Sequence, residues 1–413
     1  MNLHLTGPDH PKLRGKIRIT GSKSESNRSL LLQALFGNIR IENLSNSDDT
    51  RVMQKALASR ESLIDIHHAG TAMRFLTAYF AGLAGREVVL TGSDRMKERP
   101  IRILVEALQS LGGQISYLET PGCPPLKIRG TSLEGTEVTL PADVSSQYIS
   151  ALLLIAPTLP RGLSLTLEGQ ITSLPYIQMT LALLDRLGIP SEMEGNRIRV
   201  SAKPEIPAQT LVVESDWSSA SYYYSMAALA APGSQLELTS YREDSLQGDS
   251  ILKEIFSGLG VHSEFEGDRL RLTKTGSAPA STLSLDLIQA PDLAQTLAVC
   301  CFGLGIPCDL TGLHTLKIKE TDRLQALQNE LTKLGARVRV TGHSLHLKGG
   351  GKVQPGRSVA TYNDHRMAMA FAPLALKTPV VISDAGVVSK SYPGFWKDLG
   401  SLGFHIGETP GVG

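Results

Sequence analysis

The stretch KIKETDRL sets Lys317, Lys319, Glu320, Asp322 and Arg323 within seven residues. On a predicted helix, Lys319 and Arg323 stand four apart on one face with Glu320 alongside. Like charges at that spacing oppose a helix by about 0.2–0.5 kcal/mol unless something neutralises them. Glu320 or Asp322 can do so; a bound anion can also do so, leaving Glu320 among cations as a proton-transfer group. In GSKSESNRS, Lys23 and Arg28 flank a predicted helix start, with Ser22, Ser24 and Ser26 between them. Two cations so placed can grip a phosphate or carboxylate, though a solvated charged face reads equally from this segment alone. In MKERP, Arg99 precedes Pro100, a residue suited to a first helical turn, which predicts Arg99 beside a helix N-terminus. YNDHRMAMAF places His365 and Arg366 at the start of a predicted buried helix, where charge is costly without a partner. Asn363 or Asp364 can cap it, and His365 reads as a hydrogen-bonded histidine, not a metal ligand. His67-His68 has no third ligand placed by a motif. KGGGK at 348–352 lacks the spacing and the Ser/Thr of a phosphate loop, and Lys390 in VVSKSYPGF is uninformative alone.

What positions these residues is an internal repeat. Five amphipathic runs end in Leu-Gly, at Gly112, Gly188, Gly260, Gly335 and Gly403, with steps of 76, 72, 75 and 68 residues. Glycine is favoured just past a helix end. In phase with them are segments that open with small polar residues and then turn apolar all round, at Ser24, Gly70, Ser145, Ser218, Asp292 and Asp364. A helix apolar on every side is buried. The predicted unit is strand, buried helix, strand, outer helix and β-hairpin, six times over. The first unit is 46 residues long and has no Leu-Gly, which predicts a lost outer hairpin. A buried helix opening on Ser, Thr or Asp aims unpaired N–H groups and a partial positive charge at whatever lies beyond its tip. Several converging tips would bind a polyanion; singly, such residues are also ordinary N-caps.

The chain has 413 residues, which implies about two domains. With 41 basic and 40 acidic residues it lacks the basic excess of a nucleic-acid or anionic-membrane binder. Anions must be held by locally gathered cations. Cys123, Cys300, Cys301 and Cys308 are too few and too irregular for a disulfide framework or a zinc site. No stretch approaches 18 apolar residues and MNLHLTGPDHPKLRG lacks an apolar signal core, so a soluble, cytoplasmic protein is expected.

GSKSESNR, HAGTAMRF, MKERP, SSQYISALL, KETDRL and YNDHRMAMA together resemble, in order and across the whole chain, the 5-enolpyruvylshikimate-3-phosphate synthase family. The resemblance implies an α/β fold, a two-domain inside-out barrel of six units, three per domain, with the first unit shortened. It implies an N-terminal lobe of 21–213 and a C-terminal lobe of 1–20 plus 214–413, closing on the ligands. The implied reaction transfers enolpyruvyl from phosphoenolpyruvate to the 5-hydroxyl of shikimate 3-phosphate, releasing phosphate, with no metal or organic cofactor. Carried over, the shikimate 3-phosphate site is Lys23, Ser24, Arg28, Ser145, Ser146, Gln147, Ser173, Tyr176, Asp292, Thr315 and Lys319. The phosphoenolpyruvate site is Lys23, His68, Gly70, Arg99, Gln147, Glu320, Arg323, Arg366 and Lys390. Asp292 would accept the hydroxyl proton and Glu320 would serve the methylene carbon, with Lys23 and His365 assisting. A monomer with small-molecule partners is implied, without nucleic acid or membrane. The chain departs from the family at His68 and Thr315, where Asn is usual, at Phe75, where Pro is usual, and at Leu174, often Lys. The alternatives are the sister family of UDP-N-acetylglucosamine enolpyruvyl transferases and a non-catalytic anion-binding homologue.

Overall fold

The computed structural model describes residues 1–143, 145–171, 174–276 and 281–409. They divide into two compact units, 1–20 with 214–413 and 21–213, the chain crossing after Thr20 and after Val213.

The described residues form six sheets, five of four strands and one of two. Each four-stranded sheet repeats one arrangement. In the unit 21–213, Leu63–Asp65 lies parallel to Glu87–Thr91, which pairs antiparallel with Leu126–Arg129, and Gln114–Tyr117 completes the edge. Alternation drives this: Val88 and Leu90 point inward while Glu87 is exposed. The two-stranded sheet, Ile39–Glu42 beside Gln209–Val212, belongs to the shortened unit, whose hairpin is missing.

The buried helices are Lys23–Phe36, Gly70–Gly82, Ser146–Ile155, Trp217–Leu229, Ala294–Leu304 and His365–Phe371, each starting within two residues of the sequence expectation. Trp217–Leu229 shows why they lie inside: Tyr222, Tyr223 and Tyr224, three consecutive residues covering all sides of a turn, are all buried. The outer helices end at Ser110, Arg186, Ser257, Lys333 and Ser401. A buried leucine and then the glycine of the repeat follow directly in four of them and after Gly258 in the third, the glycines at φ of 103°, 67°, 77°, 100° and 89°. That left-handed conformation is why glycine recurs there.

Two elements differ from the sequence expectation. KETDR is not one helix. A 3₁₀ turn, His314–Ile318, stops before Lys319, and Asp322 caps a new helix, Arg323–Lys333, by accepting from the Gln325 amide at 3.1 Å. Capping by Asp outcompetes continuation through two like charges. Pro100 likewise lies outside the following helix, which begins at Arg102 after Ile101, while Asp94–Lys97 forms a separate short turn. A third feature is non-local: Asn2–Thr6 lies between Val380–Ile382 and His405–Thr409, so the first strand completes the last sheet. Among the described residues no helix is long and apolar enough to cross a membrane.

Candidate active site

Within 21–213, the tips of three buried helices carry one polar cluster. Lys23 opens the first and lies 3.2 Å from the Asp49 carboxylate, which His68 Nε2 approaches at 3.9 Å from the other side. Asp49 is buried and sits in the first turn of Asp48–Ala58, beside a helix N-terminus that favours its charge. Two residues past His68, Gly70 begins its helix with the Arg99 guanidinium directly over it: a Cβ added there would lie 2.5 Å from Nη1. Gly70 is therefore a close-approach position. The loop bearing Arg99 is fixed from below, because buried Arg74 donates to the Pro100 carbonyl at 3.1 Å and the Tyr148 hydroxyl donates to the same oxygen at 2.5 Å. Burial, then the nearby Arg99 charge, pull the Arg74 pKa down to about 10. Gln147 donates from Nε2 to the Thr71 hydroxyl at 3.2 Å, tying the third helix to the second, and Ser145 caps that helix through the Gln147 amide.

Arg28 is placed otherwise than a surface grip would require. It turns inward, donating to Thr180 at 2.8 Å, the Ser24 carbonyl at 2.8 Å, Ser150 at 2.9 Å and the Tyr176 carbonyl at 3.3 Å. The Phe75 ring, whose centroid is 5.4 Å from its guanidinium carbon, lies against it. Burial lowers its pKa to about 10. Arg28 thus braces the backbone at Ser24 and Tyr176. Ser146 stands half-buried in the first turn of its helix. Ser173 lies outside the described residues.

Within 1–20 plus 214–413, a second cluster centres on Arg323, buried to 2% side-chain exposure. Its Nε donates to Asp364 at 2.6 Å, Nη1 to Asp292 at 2.8 Å and Nη2 to Glu320 at 2.8 Å. Arg366 joins Asp292 at 3.0 Å and Ser218 at 3.2 Å, and Lys319 approaches Asp292 at 3.7 Å. Three carboxylates and three cations therefore share one site, the compensation that buried charge requires. Burial alone would raise the Asp292 carboxyl. Arg366, then Lys319 and Arg323, outweigh burial and hold it well below the usual carboxylate range. Glu320, on the bend between turn and helix, keeps 27% of its side chain exposed. Thr315 keeps its hydroxyl buried without a hydrogen-bond partner among the described residues. Lys390 donates to the Asn363 carbonyl at 2.6 Å, at the tip of the helix carrying buried His365 and Arg366.

The sequence reading passed over Asp49, Arg74 and Asp249. Asp249 accepts from the Ser218 hydroxyl, and burial raises its pKa to about 6 against the pull of Arg366. An acidic pair opening a helix, Asp48-Asp49, was a readable signal; Asp249 sits in no motif, and only the tertiary fold brings it to Ser218. Chemically, each cluster holds cations with at least one carboxylate in reach, an arrangement suited to exchanging internal ion pairs for anionic ligands while leaving a carboxylate free for proton transfer.

A family model described as EPSP synthase (3-phosphoshikimate 1-carboxyvinyltransferase) matches residues 9–61 and 57–399. The chain is 47% identical to a 3-phosphoshikimate 1-carboxyvinyltransferase of Bacteroides fragilis, covering 98% of this chain and 99% of that protein. It is 36% identical to the protein of the same name from Edwardsiella ictaluri, over 97% and 99% of the two. Among solved structures, EPSP synthase from Acinetobacter baumannii superposes with a TM-score of 0.80 at 22% identity, covering 99% of this chain and 100% of that one. The enolpyruvyl transferase NikO from Streptomyces tendae gives 0.75 at 15%, over 99% of each chain. At those identities the two structures speak for the fold alone.

Proposed function

Because the chain belongs to the EPSP synthase family, we propose that its two polar clusters divide the work of one reaction, 3-phosphoshikimate 1-carboxyvinyl transfer. That activity moves the enolpyruvyl group of phosphoenolpyruvate to the 5-hydroxyl of shikimate 3-phosphate and releases phosphate. Carbon–oxygen bond formation requires a proton to leave the hydroxyl and one to reach the methylene carbon. Collapse of the tetrahedral intermediate then removes a methyl proton and expels phosphate.

Asp292 takes the hydroxyl proton and Glu320 serves the methylene carbon in both directions. The observation that carries this reading is the convergence of Asp292 and Glu320 on one buried arginine, Arg323. It also explains how a carboxylate held so acidic becomes a base. A phosphate or carboxylate that takes Arg366, Lys319 or Arg323 removes a charge holding the Asp292 pKa down, so anion binding itself raises its basicity. Phosphoenolpyruvate is the anion assigned to Lys23, His68, Gly70, Arg99, Gln147, Arg323, Arg366 and Lys390. Shikimate 3-phosphate is assigned to Ser24, Ser145, Ser146, Ser173, Tyr176, Thr315 and Lys319, with Arg28 holding the Ser24 and Tyr176 backbone. His365 supports Arg366 from the adjacent position.

The test is phosphate release with both substrates and no added metal. Glu320→Ala and Lys23→Ala each reduce it by at least a hundredfold while the far-ultraviolet circular dichroism stays unchanged. Undiminished release in either variant overturns that residue's role. Release dependent on UDP-N-acetylglucosamine would overturn the substrate assignment.

A further inference from the structure

Three sheets neutralise their outer faces across the strands. Glu237 stands between Lys16 and Arg271, while Glu264 faces Arg271 and Glu266 faces Arg269. Glu192 faces Arg199 and Glu194 faces Arg197. Glu87 faces Arg129 and pairs with Lys127 at 3.0 Å. The sheet of Leu283–Asp286, Cys308–Thr311, Leu345–Lys348 and Arg337–Val340 breaks the rule. There Arg337 stands opposite Lys348, a like-charge pair, while Arg339 faces His346, which itself pairs with Asp309. Like charges directly opposite destabilise a sheet. Among the described residues, no carboxylate lies within ion-pair distance of Arg337, Arg339 or Lys348.

Two further observations bear on what compensates them. A cavity of about 870 Å³ lies over this face, lined by Arg337, Arg339, His346 and Lys348, with Asp309 beside them. His346 is locked in orientation, Nδ1 2.7 Å from Asp309 and Nε2 2.9 Å from the Ser344 hydroxyl. Ser344 is itself buried, so this chain of three orients a ring and presents no nucleophile.

We propose that this cavity is a binding site for a compact polyanion of the inorganic polyphosphate class. Arg337 and Arg339 stand roughly 7 Å apart along one strand, with Lys348 on the neighbouring strand about 5 Å away. That spread suits several linked phosphates, not one. Among the described residues no Phe, Tyr or Trp lines the cavity, and recognition rests on charge. The site is independent of the carboxyvinyl-transfer residues, none of which line it.

Because the reaction site also binds phosphates, the readout must be local. Histidine ring resonances of the full-length enzyme, with His346 identified by loss of its signal in His346→Gln, are followed during titration with inorganic tripolyphosphate at low ionic strength. The expected result is a saturable shift of His346, with affinity about tenfold weaker in Arg337→Gln/Arg339→Gln and unchanged in Arg197→Gln/Arg199→Gln on a sibling sheet. The first double variant should also melt at a higher temperature than the unmodified enzyme without ligand, since it relieves repulsion. Absence of a saturable His346 shift, equal binding by the Arg337/Arg339 variant, or a lowered melting temperature in that variant would each overturn the proposal. A response to an acidic peptide or RNA but not to tripolyphosphate would overturn it too.

Discussion

Asp249 shows what burial does to a single carboxyl. In an unfolded chain an aspartate titrates at about 3.9, whereas burial pushes the Asp249 carboxyl up to about 6. Between those values the unfolded chain has lost its proton and the folded protein keeps it. Stability therefore falls as pH rises through that window, by roughly 3 kcal/mol in all, and the loss is complete above it. Asp249→Asn, which keeps an acceptor for Ser218 and removes the titration, should lack this loss. Urea unfolding at pH 4 and pH 7 should show the variant gaining roughly 2 kcal/mol on the parent between the two, since the window is already partly crossed at pH 4. A difference that does not change with pH would mean that the carboxyl titrates alike in the folded and unfolded chain. The same residue marks where sequence reading fails. Glu320, Arg323 and Arg366 sit in dense local patterns, but Asp249 and Arg74 acquire their partners only through folding.

At the scale of elements, helix tips were legible because capping and burial leave local traces. The Leu-Gly endings announce a left-handed residue, and the small polar openings announce an N-terminus. KETDR misled because two opposed tendencies, helical continuation and capping by Asp322, overlap within one turn. The tip at Gly70 permits a direct test. A Cβ there meets the far end of the flexible Arg99 side chain, not the backbone, so the fold can absorb it. Gly70→Ala should change stability by less than about 1 kcal/mol yet raise KM for phosphoenolpyruvate roughly tenfold or more by displacing that guanidinium. Steady-state kinetics beside thermal melting decide it. A large loss of stability with unchanged KM would show that Gly70 serves the fold alone.

For the whole molecule, the sixfold period was plain in the spacing, whereas the route by which the ends meet was not, because strand pairing across hundreds of residues leaves no periodic mark. Arg14–Ile17 edges a sheet with Gln235–Thr239, and Asn2–Thr6 sits inside another, so the larger unit is assembled from both ends of the chain. Expressed alone, 21–213 should unfold cooperatively. The piece 214–413 should stay poorly folded until a peptide of residues 1–20 is added, a rescue visible in amide exchange at Val380–Ile382. Equal protection without the peptide would show that those two strands are dispensable.

The threading of Asn2–Thr6 also imposes an order on biosynthesis. Asn2–Thr6 leaves the ribosome long before Val380–Ile382 and His405–Thr409, so it waits unpartnered while the segment between them is translated. Meanwhile the intervening segment can settle first, which makes arrival of the late strands, not of Asn2–Thr6, the event that completes this sheet and shields it from proteolysis.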